Sequence, residues 1–143
     1  GTGLFSKAFS KIMGNGLVYA LDISSIMVDW MQNNITDNKN IIPMIMSEST
    51  IPLKDELSDL VLMITLHHEL NDPKDLLLEA IRVLKKDEKI CIIDWEKKEM
   101  PFGPSLGIRC STEEISRQLE SSGFSSIKND TSLNMFNMVW AEK

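Results

Sequence analysis

Apolar residues recur along this chain at two periods, and the periods alternate. Leu4, Phe5, Ala8, Phe9, Ile12 and Met13 fall at helical spacing, which predicts an amphipathic helix over 4–13. Gly14-Asn15-Gly16 closes it, because glycine and asparagine tolerate the left-handed cap conformation. Residues 17–21 are a short, almost wholly apolar run, as in a strand buried on both faces. Ser24 or Ser25 can cap a second helix to about Asn34, with Ile26, Met27, Trp30 and Met31 inward. The polar stretch 33–40 reads as a loop, and 41–46 as a third apolar run. Pro43 has no N–H to donate, so that strand is expected at a sheet edge.

The alternation continues past a loop at 47–57 that contains Pro52. Residues 60–66 are the most apolar strand and are expected at the centre of the sheet. Asp72-Pro73 opens a helix, with Leu77, Ala80, Ile81 and Leu84 on one face. Asp87-Glu88 is expected to turn the chain into strand 89–95, after which Pro101, Gly103, Pro104 and Gly107 mark a loop. Ser111-Thr112-Glu113-Glu114 is a capping box whose helix ends at Gly123. Residues 124–128 and 133–140 read as two closing strands joined by 129–132. Strands alternating with helices define a single α/β domain over 1–143. Its sheet is mostly parallel, with helices on both faces and a C-terminal antiparallel hairpin. Such sheets bind ligands beyond the carboxyl ends of their strands. Gly3, Asp22, Ser47, Thr65 and Asp94 are expected near that edge.

Charge and composition narrow the partners. A net charge of -6 argues against a nucleic-acid binder held by phosphate contacts. No apolar run approaches the roughly 20 residues of a membrane span. Cys91 and Cys110 have no metal-ligand spacing, and no metal site is expected; the reducing cytoplasm is the simplest location. The chemistry gathers at the start of the chain instead. Gly1-Thr2-Gly3 precedes a helix, whose free N–H groups and unshielded backbone suit a ligand. Asp22 closes the next strand, about 20 residues on, where an acid can bind the two hydroxyls of a ribose. The plain alternatives are a turn at the glycines and a helix-capping Asp22.

Taken together, these pieces resemble the class I S-adenosylmethionine-dependent methyltransferases. They look most like the small-molecule branch that includes ubiquinone and menaquinone biosynthesis enzymes. Gly1-Thr2-Gly3 resembles the second half of the glycine motif, and Leu21-Asp22-Ile23-Ser24 the ribose-binding strand end. Ile51-Pro52-Leu53, Leu66-His67-His68 with Asp72-Pro73, and Arg82-Val83-Leu84-Lys85 are similar to three later motifs. The resemblance implies a Rossmann-like sheet, S-adenosyl-L-methionine as cofactor and a small-molecule acceptor. It assigns Gly1, Gly3, Asp22 and Ile23 to the cofactor. Ser47 or its neighbour Glu48 would lie near the adenine amine, and the Thr65 and Leu66 backbones near the methionine moiety. The family's turn before the fifth strand is replaced here by Lys86-Asp87-Glu88. The resemblance further implies a first strand, between the strand ending at Asp22 and 60–66, that this chain lacks. Upstream residues are expected to fill that place. Without them the open edges would re-pair or self-associate.

Acceptor chemistry points to the middle of the chain. His67 and His68 are adjacent at a strand end. An imidazole there either removes an acceptor proton, the role considered for His67, or packs under the next helix while its neighbour shapes the pocket. His68, Trp95 and Arg109 form the substrate-side set, which would suit an aromatic or anionic acceptor. Equally, Trp95 is core and Arg109 pairs with Glu113 or Glu114. Two other functions share the pattern: a nicotinamide-dependent oxidoreductase, and a non-catalytic module that keeps the fold.

Overall fold

The computed structural model describes residues 1–35 and 37–143, and they form two compact units, Gly1–Pro52 and Leu53–Lys143. In the first unit, helix α1 (Leu4–Met13) leads to strand β1 (Val18–Asp22), helix α2 (Ser25–Asn34) and strand β2 (Ile41–Ile45). β1 and β2 pair in parallel as a two-stranded sheet, and Pro43 lies opposite Ala20. Ser24 caps α2 by accepting from the Met27 N–H. The core is small: Ala20, Val28, Met31, Ile35 and Ile41, with Val18 against them.

Two faces of this unit differ from the sequence pattern. α2 buries Val28 and Met31, whereas Ile26 and Trp30 are exposed. Val28, Met31 and Ile35 form their own row at helical spacing, and that row meets the sheet. α1 likewise leaves Leu4, Phe5, Ile12 and Met13 exposed and buries Ser10 instead. Ser10 Oγ donates to Asn40 Oδ1 at 2.6 Å. The Asn40 amide in turn donates to the carbonyls of Ser10, Gly14 and Gly16. Asn40 thereby satisfies orphan carbonyls at the end of α1. α1 is held to the approach to β2 by a polar link.

The second unit contains β3 (Ser58–Ile64), α3 (Lys74–Val83), β4 (Leu84–Trp95), α4 (Thr112–Ser121), β5 (Ser125–Asp130) and β6 (Phe136–Glu142). Its four-stranded sheet has the order β3-β4-β6-β5, parallel between β3 and β4 and antiparallel thereafter. β3 was expected at the centre. It is the end strand of this sheet, and β4, paired on both sides, takes the central place with Ile90, Cys91 and Ile92 fully buried. Asp87-Glu88 is not a turn either. α3 passes directly into β4, and Asp87 at φ 63 sits in a register shift within that one strand. α4 begins with the full capping box: Ser111 Oγ accepts from the Glu114 N–H, and the Glu114 carboxylate accepts from the Ser111 N–H. Ile115 and Leu119 carry its buried face. Helices over a sheet with parallel strands and a C-terminal antiparallel hairpin make the chain an α/β fold. No helix among the described residues is long and apolar enough to cross a membrane.

Candidate active site

In the first unit, the glycine turn and the strand-end acid meet. Gly3 is the N-cap of α1 at φ 72, a left-handed conformation that glycine adopts without strain. A Cβ there would lie 2.4 Å from Ile35 Cδ1, so the position is also closed by packing. Asp22, the last residue of β1, uses its two carboxylate oxygens differently. Oδ1 accepts from the Ser24 N–H at 2.8 Å, which orients the group. Oδ2 accepts from the Gly1 amino group. Burial pushes the Asp22 carboxyl upward, and the Ser24 and Ile23 amides oppose it. One carboxylate oxygen is thus fixed by its own turn, and the other serves a donor from the glycine loop. That acceptor is chemically suited to ribose hydroxyls. Ile23 is exposed beside it. At the end of β2, Ser47 bridges to Thr50 in a tight turn, and both Ser47 and Glu48 are exposed.

In the second unit, β3 ends at Ile64, and Thr65 follows at φ 49. A left-handed β-branched residue is strained, and it turns the chain sharply into a single helical turn, His67–Glu69. The Thr65 N–H is spent on the Ile93 carbonyl and the Leu66 carbonyl on the Glu69 N–H. The turn aims both histidines inward. Asp94, near the end of β4 and 1% exposed, receives three hydrogen bonds. They come from the His68 N–H at 2.8 Å, the Trp95 N–H at 2.7 Å and the His68 ring Nδ1 at 2.7 Å. A carboxylate oxygen accepts, so the His68 Nδ1 is the protonated nitrogen facing Asp94. His67 is 2% exposed, and its Nε2 lies 2.6 Å from Gln118 Oε1 of α4. Its Nδ1 is buried without a hydrogen-bond partner.

Burial pushes the His67 imidazole below its ordinary 6.5, and the Gln118 hydrogen bond and the Asp94 charge only partly oppose this. Unfolded, the ring takes up a proton near 6.5; folded, it resists until the pH is lower. The stability that the neutral ring confers is therefore present above 6.5 and lost as the pH falls through the folded value. Thermal unfolding followed by circular dichroism should show this acid loss in the parent protein. His67→Gln should flatten that part of the curve; an unchanged pH profile would remove His67 as its source.

Trp95 and Arg109 have partners inside the protein. The Trp95 ring packs on Phe136 at 4.7 Å between centroids and edge-on to Phe102 at 6.1 Å. Arg109 is 4% exposed, and its guanidinium lies 5.8 Å from the Trp95 ring centroid. It donates to the carbonyls of Glu96, Lys98, Phe102 and Pro104. The expected pairing with Glu113 or Glu114 does not form: Lys97 takes Glu114 at 2.8 Å. Arg109 staples the loop after β4. The sequence reading placed Asp94 at the ligand edge of the sheet without a role, and left Asn71, Cys110 and Gln118 unassigned. With His67, His68 and Ile108, all but Asp94 line one cavity of about 460 Å³. An acid inside the apolar run 90–95 was the one available signal. Among the described residues no group of three or more His, Cys, Asp or Glu side chains could hold a metal ion.

A domain with this α/β order and a glycine turn facing a strand-end acid has the layout of a nucleoside-cofactor enzyme. The methyltransferase domain family matches residues 1–92, more than half of the chain, and the chain belongs to that family. An S-adenosylmethionine-dependent methyltransferase from Aquifex aeolicus has the same fold, with a TM-score of 0.88 and 32% identity, over 99% of this chain and 77% of that one. An uncharacterized protein of Methanocaldococcus jannaschii is 29% identical over 140 residues, 90% of this chain and 62% of its own length. The ubiquinone/menaquinone biosynthesis C-methyltransferase UbiE of Bordetella avium is 27% identical over 107 residues, 73% of this chain and 42% of its own. The chain thus spans less than two thirds of the length of these two curated relatives. The class is S-adenosylmethionine-dependent, and membership sets the nicotinamide oxidoreductase reading aside.

Proposed function

We propose that the protein transfers a methyl group from S-adenosyl-L-methionine to a small-molecule acceptor in the cytoplasm, and that both units serve one methyltransferase domain. The family match runs through the division after Pro52, which supports the second point. The observation that carries the first is the Asp22 carboxylate, oriented through Oδ1 by Ser24 and offering Oδ2 to a donor at the glycine turn. Gly1 and Gly3 bring backbone close to the cofactor, Ile23 covers it, and the turn at Ser47 and Glu48 meets the adenine.

When bound, the cofactor supplies a methyl group on a positively charged sulfur. The donor is already activated, so the protein's task is mainly positioning, worth roughly 7–11 kcal/mol in well-oriented reactions. The end strand β3, with Leu60 40% exposed, supports pairing with a further strand, and self-association of the chain as given through that edge is part of this reading. Calorimetric titration with S-adenosylhomocysteine tests the main reading. Saturable one-site binding is expected, and no heat at millimolar ligand would favour a non-catalytic module instead.

A further inference from the structure

The glycine turn and the strand-end acid meet in the first unit, but the chain that joins them runs through the far end of that unit. From Gly3 it follows α1 away from the site, turns at 14–17 and returns along β1 to Asp22. α1 has 10 residues and is about 15 Å long. A tilt of about 5° at its far end would carry Gly3 by roughly 1 Å. Binding groups need placement within about 0.5 Å, so the angle between α1 and β1 matters to the site. The connection leaves that angle loosely defined. Gly14 lies at φ 58, Gly16 is in the same turn, and glycine backbone has the most freedom of any residue. Apolar packing holds α1 weakly: Leu4, Phe5, Ile12 and Met13 are exposed, and Ser10 is its one buried residue.

Asn40 fixes what the turn leaves free. Its side-chain oxygen accepts from Ser10 Oγ at 2.6 Å. Its amide nitrogen donates to the carbonyls of Ser10 at 3.2 Å, Gly14 at 3.3 Å and Gly16 at 3.0 Å. Its own carbonyl accepts from the Val18 N–H at 2.8 Å. One residue thus holds the last turns of α1, both glycines of the connection and the first residue of β1. Asn38 adds a donor to Ser10 Oγ at 3.2 Å. An amide suits this place because it carries an acceptor and two donors in one plane; a carboxylate would face three carbonyls with no proton to give. We propose that Asn40 is a positioning residue for the cofactor site: by clamping α1 to the start of β1, it sets where the glycine turn at Gly3 stands relative to Asp22. This rests on the methyltransferase reading above. Asn40 acts through α1 and β1 and touches no ligand.

The probe is S-adenosylhomocysteine, titrated calorimetrically into the full chain and its variants at a temperature where all are folded. Asn40→Ala should bind at least tenfold more weakly. Asn40→Asp should bind more weakly still, because its carboxylate repels the three carbonyls. Ser10→Ala keeps the carbonyl bonds and should stay within about threefold of the parent. Val28→Ala opens a cavity in the core of the same unit, and it separates lost positioning from lost stability. It should lower the melting temperature yet bind within twofold of the parent. In ligand-free protein labelled with nitrogen-15, the Gly3 and Lys7 amide signals should move or broaden in Asn40→Ala. Coupling is reciprocal, so S-adenosylhomocysteine should slow hydrogen exchange of the Asn40 side-chain amide in the parent chain. That measurement needs no variant and decides the matter should the Asn40 substitutions fail to fold. Parent-like affinity in Asn40→Ala, an equal loss in Val28→Ala, or unchanged Asn40 exchange on binding each overturns the proposal. A parent chain that binds no S-adenosylhomocysteine defeats the methyltransferase reading instead, and the ligand-free Gly3 and Lys7 signals then decide whether Asn40 places the turn.

Discussion

Asp22→Ala is expected to weaken S-adenosylhomocysteine binding by at least tenfold, measured calorimetrically against the parent protein. The carboxylate has one oxygen fixed by Ser24 and one available to a ligand donor. A hydrogen bond to a charged group contributes about 1.5–3 kcal/mol, which is roughly 10- to 150-fold in affinity. The domain should remain folded, because the core of its unit, Ala20, Val28, Met31, Ile35 and Ile41, is untouched. The melting temperature separates lost binding from lost folding. Affinity within twofold of the parent would remove Asp22 from the cofactor site. So would recovery of binding only at temperatures where the variant refolds.

Arg109→Leu should produce the largest change in stability. The guanidinium is buried and serves four backbone carbonyls in the loop between β4 and α4. Removing it orphans those acceptors together, on the scale of about 3–5 kcal/mol for breaking a buried charged network. That corresponds to a fall in melting temperature on the order of 10 °C. Arg109→Lys should rescue little, since an ammonium cannot present a planar fork of donors to several carbonyls. Limited proteolysis should cut the variants first between residues 96 and 109. A parent-like melting temperature and cleavage pattern would show that the loop does not depend on this residue.

The sequence pattern carries what is local. Residues 4–13 form a helix as their spacing demands, Ser24 and Ser111 cap the helices they precede, and Gly123 follows the end of the last. The distance from Gly3 to Asp22 likewise points at their meeting, because a glycine turn, one helix and one strand fix it. What was illegible depends on partners distant in sequence. Periodicity finds that a helix has an apolar row but not which row meets the sheet. α2 therefore turns Val28 and Met31 inward rather than Ile26 and Trp30. Apolar content likewise gives no strand order, and β4 rather than β3 takes the middle of its sheet. The His68–Asp94 pair spans 26 residues and depends on a left-handed Thr65, for which the sequence holds no signal. Gln118 reaches His67 across 51 residues.

The two thiols differ in their access to solvent. Cys91 is 1% exposed in the middle of β4, and burial with the nearby Asp130 charge pushes its pKa up to about 12. Its thiolate population at neutral pH is negligible, so alkylating reagents and oxidants pass it by while the sheet is intact. Cys110 is half-buried in the cavity wall, and burial raises its thiol as well. In the folded protein any slow modification therefore falls on Cys110. Its rate gauges how freely solvent enters the cavity, and a molecule seated there shields it, so the native chain carries its own occupancy gauge without an engineered label.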